Sequence, residues 1–222
     1  MPSQIFISGI YAGFMIGLGA TAKLCCENPY VGSLLFCLGL CTVVALSMCL
    51  FTGRVGEFLY HRKGGKAYFT SQLIIMFWGN LFGTALCALL VQYALPALPD
   101  QVYPLMTQHY SDDMLRTFVL AILCGVCMHV AVTFGEVAKK KVSMLGIFLA
   151  VPAFILCGFR HSIAESFYWL LSLFASEPLP FSFLSGLGYV FTCALGNALG
   201  SIFSSLYPIL LVYANEHSGG RK

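Results

Sequence analysis

The residues best suited to chemistry are clustered in one apolar stretch, Pro152 to Leu171, which reads PAFILCGFRHSIAESFYWLL. It carries Gly158, Arg160, His161 and Glu165 where a lipid anchor would carry only apolar side chains. Ionisable groups at membrane depth are costly, and they mark a pathway or a site. An imidazole changes charge between about pH 5 and 8, so His161 has the chemistry to exchange a proton or hold an anion. A second histidine, His129, lies in another apolar run, Gly125-Val-Cys-Met-His. It either faces His161 as a coupled pair or hydrogen-bonds a neighbouring helix. Arg160 and Glu165 read as an ion pair, with direct contact to a solute as the alternative. Arg54 and Glu57, one turn apart, are expected to pair in the same way. Asn80 and Asn197, each preceded by glycine, are expected to tie down backbone at helix breaks.

The elements that position these groups follow from composition. Of 222 residues, 59% are hydrophobic and only 9% charged, against about 25% charged in an ordinary soluble domain. The chain is therefore an all-α membrane protein, a single transmembrane domain over 1–222 in the lipid bilayer. At ~20 residues per span the apolar runs give six helices, near Ile5–Leu24, Tyr30–Tyr60, Tyr68–Leu95, Met114–Val137, Val142–Ala175 and Phe181–Tyr213. Pro96 to Asp113 reads as a polar loop. Met1 to Gln4 is too short and too uncharged for the start of a signal peptide, so the first helix is expected to be retained. The second run would measure about 46 Å if fully helical, more than the roughly 30 Å of hydrocarbon. A break at Thr52-Gly53 would shorten it, and irregular backbone at that depth must face protein or a cavity. Lysine and arginine concentrate in Arg62, Lys63, Lys66, Lys139, Lys140, Lys141, Arg221 and Lys222, against Lys23 and Arg116 on the other side. That bias places both termini in the cytoplasm.

The two halves resemble each other. Ala12-Gly13 to Gly17 parallels Cys124-Gly125 to His129, Leu50-Phe51-Thr52-Gly53 parallels Phe159-Arg160-His161-Ser162, and Gly79-Asn80-x-x-Gly83 parallels Gly196-Asn197-x-x-Gly200. Three helices per half is odd, so two repeats, about 4–95 and 112–213, must be inverted in the membrane, with helices two and five broken. Paired broken helices put a transport site near the midplane. The ten cysteines mostly fall in apolar runs and read as small buried hydrophobes. Cys124-x-x-Cys127 has no second pair nearby, so no metal and no cofactor is expected. The competing class is an intramembrane enzyme, metal-dependent or hydrolytic, built on His129 and His161. Neither HExxH nor GxSxG occurs in the chain.

The motifs Gly32-Ser-Leu-Leu-Phe-Cys-Leu-Gly-Leu40, Leu50-Phe-Thr-Gly53, Gly79-Asn80, Pro152-Ala-Phe-Ile-Leu-Cys-Gly-Phe-Arg-His-Ser-Ile-Ala164 and Gly196-Asn197 resemble those of the formate/nitrite transporter family. The resemblance runs from about Ser8 to Leu211. It implies an aquaporin-like protomer, a homopentamer with one pore per protomer, and passage of small monovalent anions of weak acids such as formate, nitrite or hydrosulfide. No nucleic acid is involved. It makes His161 the central pore histidine and Thr52 its hydrogen-bonding threonine. Phe36, Leu40 and Phe154 would narrow the pore, and Leu50 and Phe51 belong to the loop at the break. The chain is expected to be a multi-pass protein of the cytoplasmic (inner) membrane. Several positions depart from the family pattern. Arg160 replaces a glutamate, Glu165 and His129 replace asparagines, and Arg54 stands where asparagine often follows. Asp113 aligns with a vestibule lysine, whose charge Arg116 or Lys23 would supply. A bare anion pays several kcal/mol to enter an apolar constriction. The expected mechanism is proton-linked: the solute passes the apolar rings as the neutral acid, or pairs with protonated His161.

Overall fold

The computed structural model describes residues 2–61, 63–137 and 143–218. Arg62, Lys139, Lys140, Lys141, Arg221 and Lys222, which carry most of the charge bias, lie outside the described residues. The described chain is helical: α1 (Pro2–Leu24), α2 (Pro29–Ala45), α3 (Phe51–Arg54) running into a 3-10 turn (Val55–Leu59), α4 (Gly65–Ala94), α5 (Leu98–Ser111), α6 (Met114–Val137), α7 (Ser143–Leu156), α8 (Ser162–Ser172) and α9 (Phe183–Ser218). Four of these, α1, α4, α6 and α9, are long and apolar enough to cross a membrane unaided. The shorter apolar helices α2 and α7 are each followed by a break and a short helix, as the interrupted second and fifth elements require.

Both breaks use the same device. Met48 N–H bonds back to the Val43 carbonyl at 2.9 Å, and Phe159 N–H to the Phe154 carbonyl at 2.9 Å. Each closes its helix with a six-residue loop around one left-handed residue, a Schellman end. Gly158 takes that conformation with φ 69°, and Ser47 takes it with φ 52°. The first break therefore lies at 46–50, ahead of Thr52-Gly53, which sit in the restarted helix. The length of the run points to a break at Thr52-Gly53, but the left-handed residue, a place glycine usually takes, is here a serine that carries the strain. A left-handed conformation costs a residue with a Cβ roughly 1–2 kcal/mol. Ser47→Gly is therefore expected to raise the thermal midpoint of the purified protein and Gly158→Ala to lower it, each by about 1 kcal/mol. Shifts of the same sign in the two variants would contradict this.

After each break an asparagine replaces the missing helical bonds. Asn80 accepts from Phe51 N–H at 2.9 Å and donates to the carbonyls of Cys49 and Gly9 at 2.9 Å. Asn197 accepts from Ser162 N–H and donates to the carbonyls of Arg160 and Ala121, all at 2.8 Å. Both side chains are fully buried, where unpaired polar groups would be expensive. The helices can approach this closely because Gly13 and Gly125 have no Cβ; a methyl group on either would collide with the Asn80 or Asn197 carbonyl. These bonds make Leu50 the counterpart of His161, each the extended residue just before its helix restarts. The alignment of Thr52 with His161 was thus two residues out of register. The two are partners in space, not equivalents.

The second half of each broken element crosses to the other group of helices. α1 packs on α2 and α4, and α6 on α7 and α9, while α8 packs against α4 and the 3-10 turn against α9. α2 and α7 meet across the middle.

The segment read as a polar loop is instead helix α5. Leu98, Val102 and Met106 are buried, which is a four-residue spacing on one face. Pro99 sits in the first turn, where its missing N–H is harmless. The prolines and charges hid this helix from a reading based on polarity. α5 packs on α8 and pins the following turn, since Asp100 accepts from Ser176 N–H at 2.7 Å and Ser176 Oγ at 3.0 Å.

Candidate functional site

The two restarted helices bring Thr52 and His161 together. Thr52 Oγ1 and His161 Nε2 are 2.8 Å apart, and both residues are about 1% exposed. His161 is also the N-cap of α8, its Nδ1 accepting from Ala164 N–H at 3.2 Å. A backbone N–H can only donate, so the neutral ring carries its proton on Nε2 and gives it to Thr52 Oγ1. The Thr52 hydroxyl hydrogen is left free for another acceptor, because no other bond to it occurs among the described residues. A second proton on His161 would have to occupy Nδ1, where the Ala164 N–H already points.

On one side of this pair lies a cavity of about 160 Å³, lined among others by Lys23, Phe36, His109, Phe154, Arg160, His161, Glu165 and Tyr168. The Phe36 and Phe154 rings meet edge to face at 5.9 Å, and Phe154 stacks over His161 at 5.8 Å. Two phenyl rings thus stand beside the imidazole. Leu40, one turn beyond Phe36 on α2, is buried in the core and outside that cavity's lining. Leu50 is buried as the cap of α3. Phe51 turns toward Phe77, 5.3 Å away, and borders an open apolar groove with Trp78 and Phe191.

The charged residues pair differently from the sequence expectation. Arg160 and Glu165 do not bond each other. Arg160 reaches Asp112 at 2.5 Å and the Gly158 carbonyl at 3.1 Å. Glu165 Oε2 accepts from Tyr189 OH at 2.9 Å and lies 3.0 Å from His109 Nδ1. The reason is backbone geometry: Arg160 precedes the cap while Glu165 is in the first turn, so they share no helical face. Their counterions come from the end of α5 instead. Asp112 also pairs with Arg116 at 3.0 Å, but Arg116 is largely exposed, its side chain at 69%, and it does not line the cavity. Lys23 does line it, with Nζ 5.3 Å from the centre of the Tyr168 ring. Arg54 pairs with Glu57.

No hydrogen bond or ring contact joins His129 to His161 among the described residues. His129 lies against Gly56 of the 3-10 turn. Gly17 and Phe167 occupy the corresponding places in the other half, where the bulk comes from α8 instead. His129 therefore fills the space that an aromatic ring fills on the opposite side. The two histidines thus form no pair, and no group of three potential metal ligands occurs among the described residues. His109, Asp112 and Tyr189 escaped the sequence reading. For His109 a signal existed, since it follows Leu98, Val102, Leu105 and Met106 on the apolar face of α5.

The sequence profile of the formate/nitrite transporter family matches residues 1–211. The chain belongs to the formate/nitrite transporter family. It is similar to the nitrite transporter NirC of Escherichia coli (strain K12), with 25% identity over 92% of this chain and 82% of that one. Among solved structures it shares its fold with an FNT family ion channel, at a TM-score of 0.80 and 23% identity over 95% of this chain and 89% of the other. It also matches a pentameric formate channel with formate bound, at a TM-score of 0.80 and 20% identity over 96% and 98%.

Proposed function

We propose that the protein is a homopentameric channel or transporter for small monovalent anions of weak acids, of the formate, nitrite or hydrosulfide class, with one proton-linked pathway per protomer. In this reading it is a multi-pass protein of the cytoplasmic (inner) membrane. Both termini are cytoplasmic, α5 is on the outer face, and the halves 4–95 and 112–213 are inverted repeats. The observation that carries the reading is the Thr52–His161 hydrogen bond at the meeting of two broken helices, behind the Phe36–Phe154 pair.

The steps follow from that geometry. Lys23 and Arg160 in the cavity wall raise the local anion concentration. The phenyl pair then excludes a hydrated ion, because a bare charge pays several kcal/mol to enter an apolar constriction and a neutral acid pays far less. Beyond it, the solute meets the free Thr52 hydroxyl, whose orientation is set by His161 Nε2–H. The positive N-terminal end of α8 also points to this place and favours residual negative charge. Leu40, Leu50 and Phe51 form the apolar continuation of the path in this reading. Asn80 and Asn197 fix the backbone on either side of it. Arg54 and His129 shape the approach from the 3-10 turn.

The test is a flux panel. Purified protein in proteoliposomes should pass formate, nitrite, hydrosulfide or lactate, with flux higher at pH 5 than at pH 7 after subtraction of protein-free liposomes. No flux of any of the four at either pH would remove the reading.

A further inference from the structure

The pathway just proposed requires a proton for each anion, and His161 is poorly placed to supply one. Its Nε2–H is engaged by Thr52, and its Nδ1 is held by the Ala164 N–H. A second imidazole lines the same cavity. His109 reaches in from α5, with its side chain 12% exposed. Its Nδ1 faces Glu165 Oε2 at 3.0 Å, and its Nε2 makes no hydrogen bond among the described residues. Glu165 Oε2 also accepts the Tyr189 hydroxyl. Two donors converging on one oxygen are what an ionised carboxylate accommodates. The carboxylate then holds His109 Nδ1–H, so that Nε2 takes up and releases the exchangeable proton. A buried carboxylate orients a base in the same way in hydrolytic triads.

From this we infer that His109 is the proton donor of the pathway, converting the anion to its neutral acid in the cavity before the Phe36–Phe154 constriction. The inference rests on the proposed function above. The step is a simple transfer. For formate, the His109 Nε2–H bond breaks, an O–H bond forms on the carboxylate, and the ring returns to neutral. A hydronium ion at the mouth then returns a proton to Nε2 and leaves as water. Positive charge leaves the ring as negative charge leaves the solute, so the cavity's net charge does not change.

The surroundings of His109 favour this exchange. From α8 it faces Glu165 and Tyr168, from α9 Tyr189, from α1 Lys23, and from the linker before α8 Arg160 and His161. At the end of its own helix, Asp112 is taken up by Arg160 and Arg116. Glu165 is thus the carboxylate that balances a charged His109. Lys23 and Arg160 in the same wall draw the arriving anion toward His109 Nε2. Of the groups lining the cavity, His109 alone joins an imidazole to a carboxylate partner and an uncommitted ring nitrogen.

Three variants test the assignment by formate flux into proteoliposomes between pH 5 and pH 8, each checked for assembly by size-exclusion chromatography. His109→Gln should lower flux at pH 5 on the order of a hundredfold, the effect of losing a positioned proton donor, and flatten the pH profile. His109→Arg keeps the charge but holds its proton throughout this range, and it should not restore flux. Glu165→Gln leaves an oxygen for both donors but removes the countercharge, so the acid rise should move to lower pH. Wild-type flux and slope in His109→Gln, full rescue by His109→Arg, or an unmoved profile in Glu165→Gln would each overturn the inference. The last of these stays informative even if a His109 variant does not assemble. In all three cases the wild-type protein still conducts. If the wild type itself carries no anion, the proposed function falls and this step falls with it.

Discussion

Replacing His161 with phenylalanine should abolish most anion flux while leaving the protein folded. The ring is about 1% exposed and makes two hydrogen bonds, to Thr52 and from Ala164. Phenylalanine keeps the volume and the stacking on Phe154 but loses both. Loss of the α8 cap costs about 1 kcal/mol of stability, visible as a lower thermal midpoint. Loss of Nε2–H releases the Thr52 hydroxyl, which then turns to a backbone carbonyl as threonines in helices do. The solute meets an apolar wall on both sides. A neutral acid left without its hydrogen bond in this buried place pays about 1–3 kcal/mol, which corresponds to roughly a five- to hundredfold fall in flux. His161→Asn separates the two losses. Asparagine is a good N-cap, so it should recover the thermal midpoint, yet its shorter side chain cannot hold Thr52 in the same orientation. Stability restored without flux is the expected pattern in a paired melting and proteoliposome experiment. Unchanged flux and pH profile in both variants would show that the permeant solute does not depend on His161.

How much of this was legible in the residues depended on whether a partner was local in sequence. Asn80, Asn197, Thr52 and His161 stand in compact motifs, and each meets the backbone or side chain expected for a broken-helix pair. The Arg54–Glu57 pair was readable because one helical turn fixes the distance. The partners of Arg160 and Glu165 were not. Opposite charges five residues apart invite pairing on paper, but a helix start between them sends the two side chains in different directions. Their partners, Asp112 and His109, come from a segment that composition marks as a loop. Its helix is recognisable only from the four-residue spacing of Leu98, Val102 and Met106. His129 was opaque for another reason. A mid-membrane histidine suggests chemistry, and only the fold reveals the glycine, Gly56, that gives its ring room. The register of the repeat was similarly hidden. Thr52 and His161 look equivalent because both are polar and lie near the breaks, whereas the hydrogen bonds equate His161 with an apolar residue, Leu50. Thr52 in turn falls opposite Ile163, so each member of the central pair lacks a polar counterpart, and the near-symmetry of the frame leaves the chemistry one-sided.

That frame makes a further quantitative demand. Asn197→Leu and Asn80→Leu should destabilise the protein severely and by nearly equal amounts. Leucine is close in size, so packing is largely preserved and the loss is one of hydrogen bonds. In each case one acceptor, the carbonyl of Ala121 or of Gly9, lies within a helix and keeps its own helical partner. The other two groups do not. Arg160 C=O and Ser162 N–H, or Cys49 C=O and Phe51 N–H, would be left at a helix break with no replacement. An orphaned buried polar group costs about 1–3 kcal/mol, so each variant loses roughly 2–6 kcal/mol, a large share of the ordinary stability of about 5–15 kcal/mol. Most of the protein should then fail to fold, measured as the loss of the wild-type peak on size exclusion and a melting transition displaced downward by a similar amount in both variants. Asn197→Asp should be no better, since it presents a carboxylate to two carbonyls that need donors. The residual activity of any surviving fraction should fall in both: Asn197 flanks His161 and Asn80 flanks Thr52, so both variants loosen the same 2.8 Å contact from opposite sides. A wild-type melting point in either leucine variant would mean that the breaks are held by something other than these two amides.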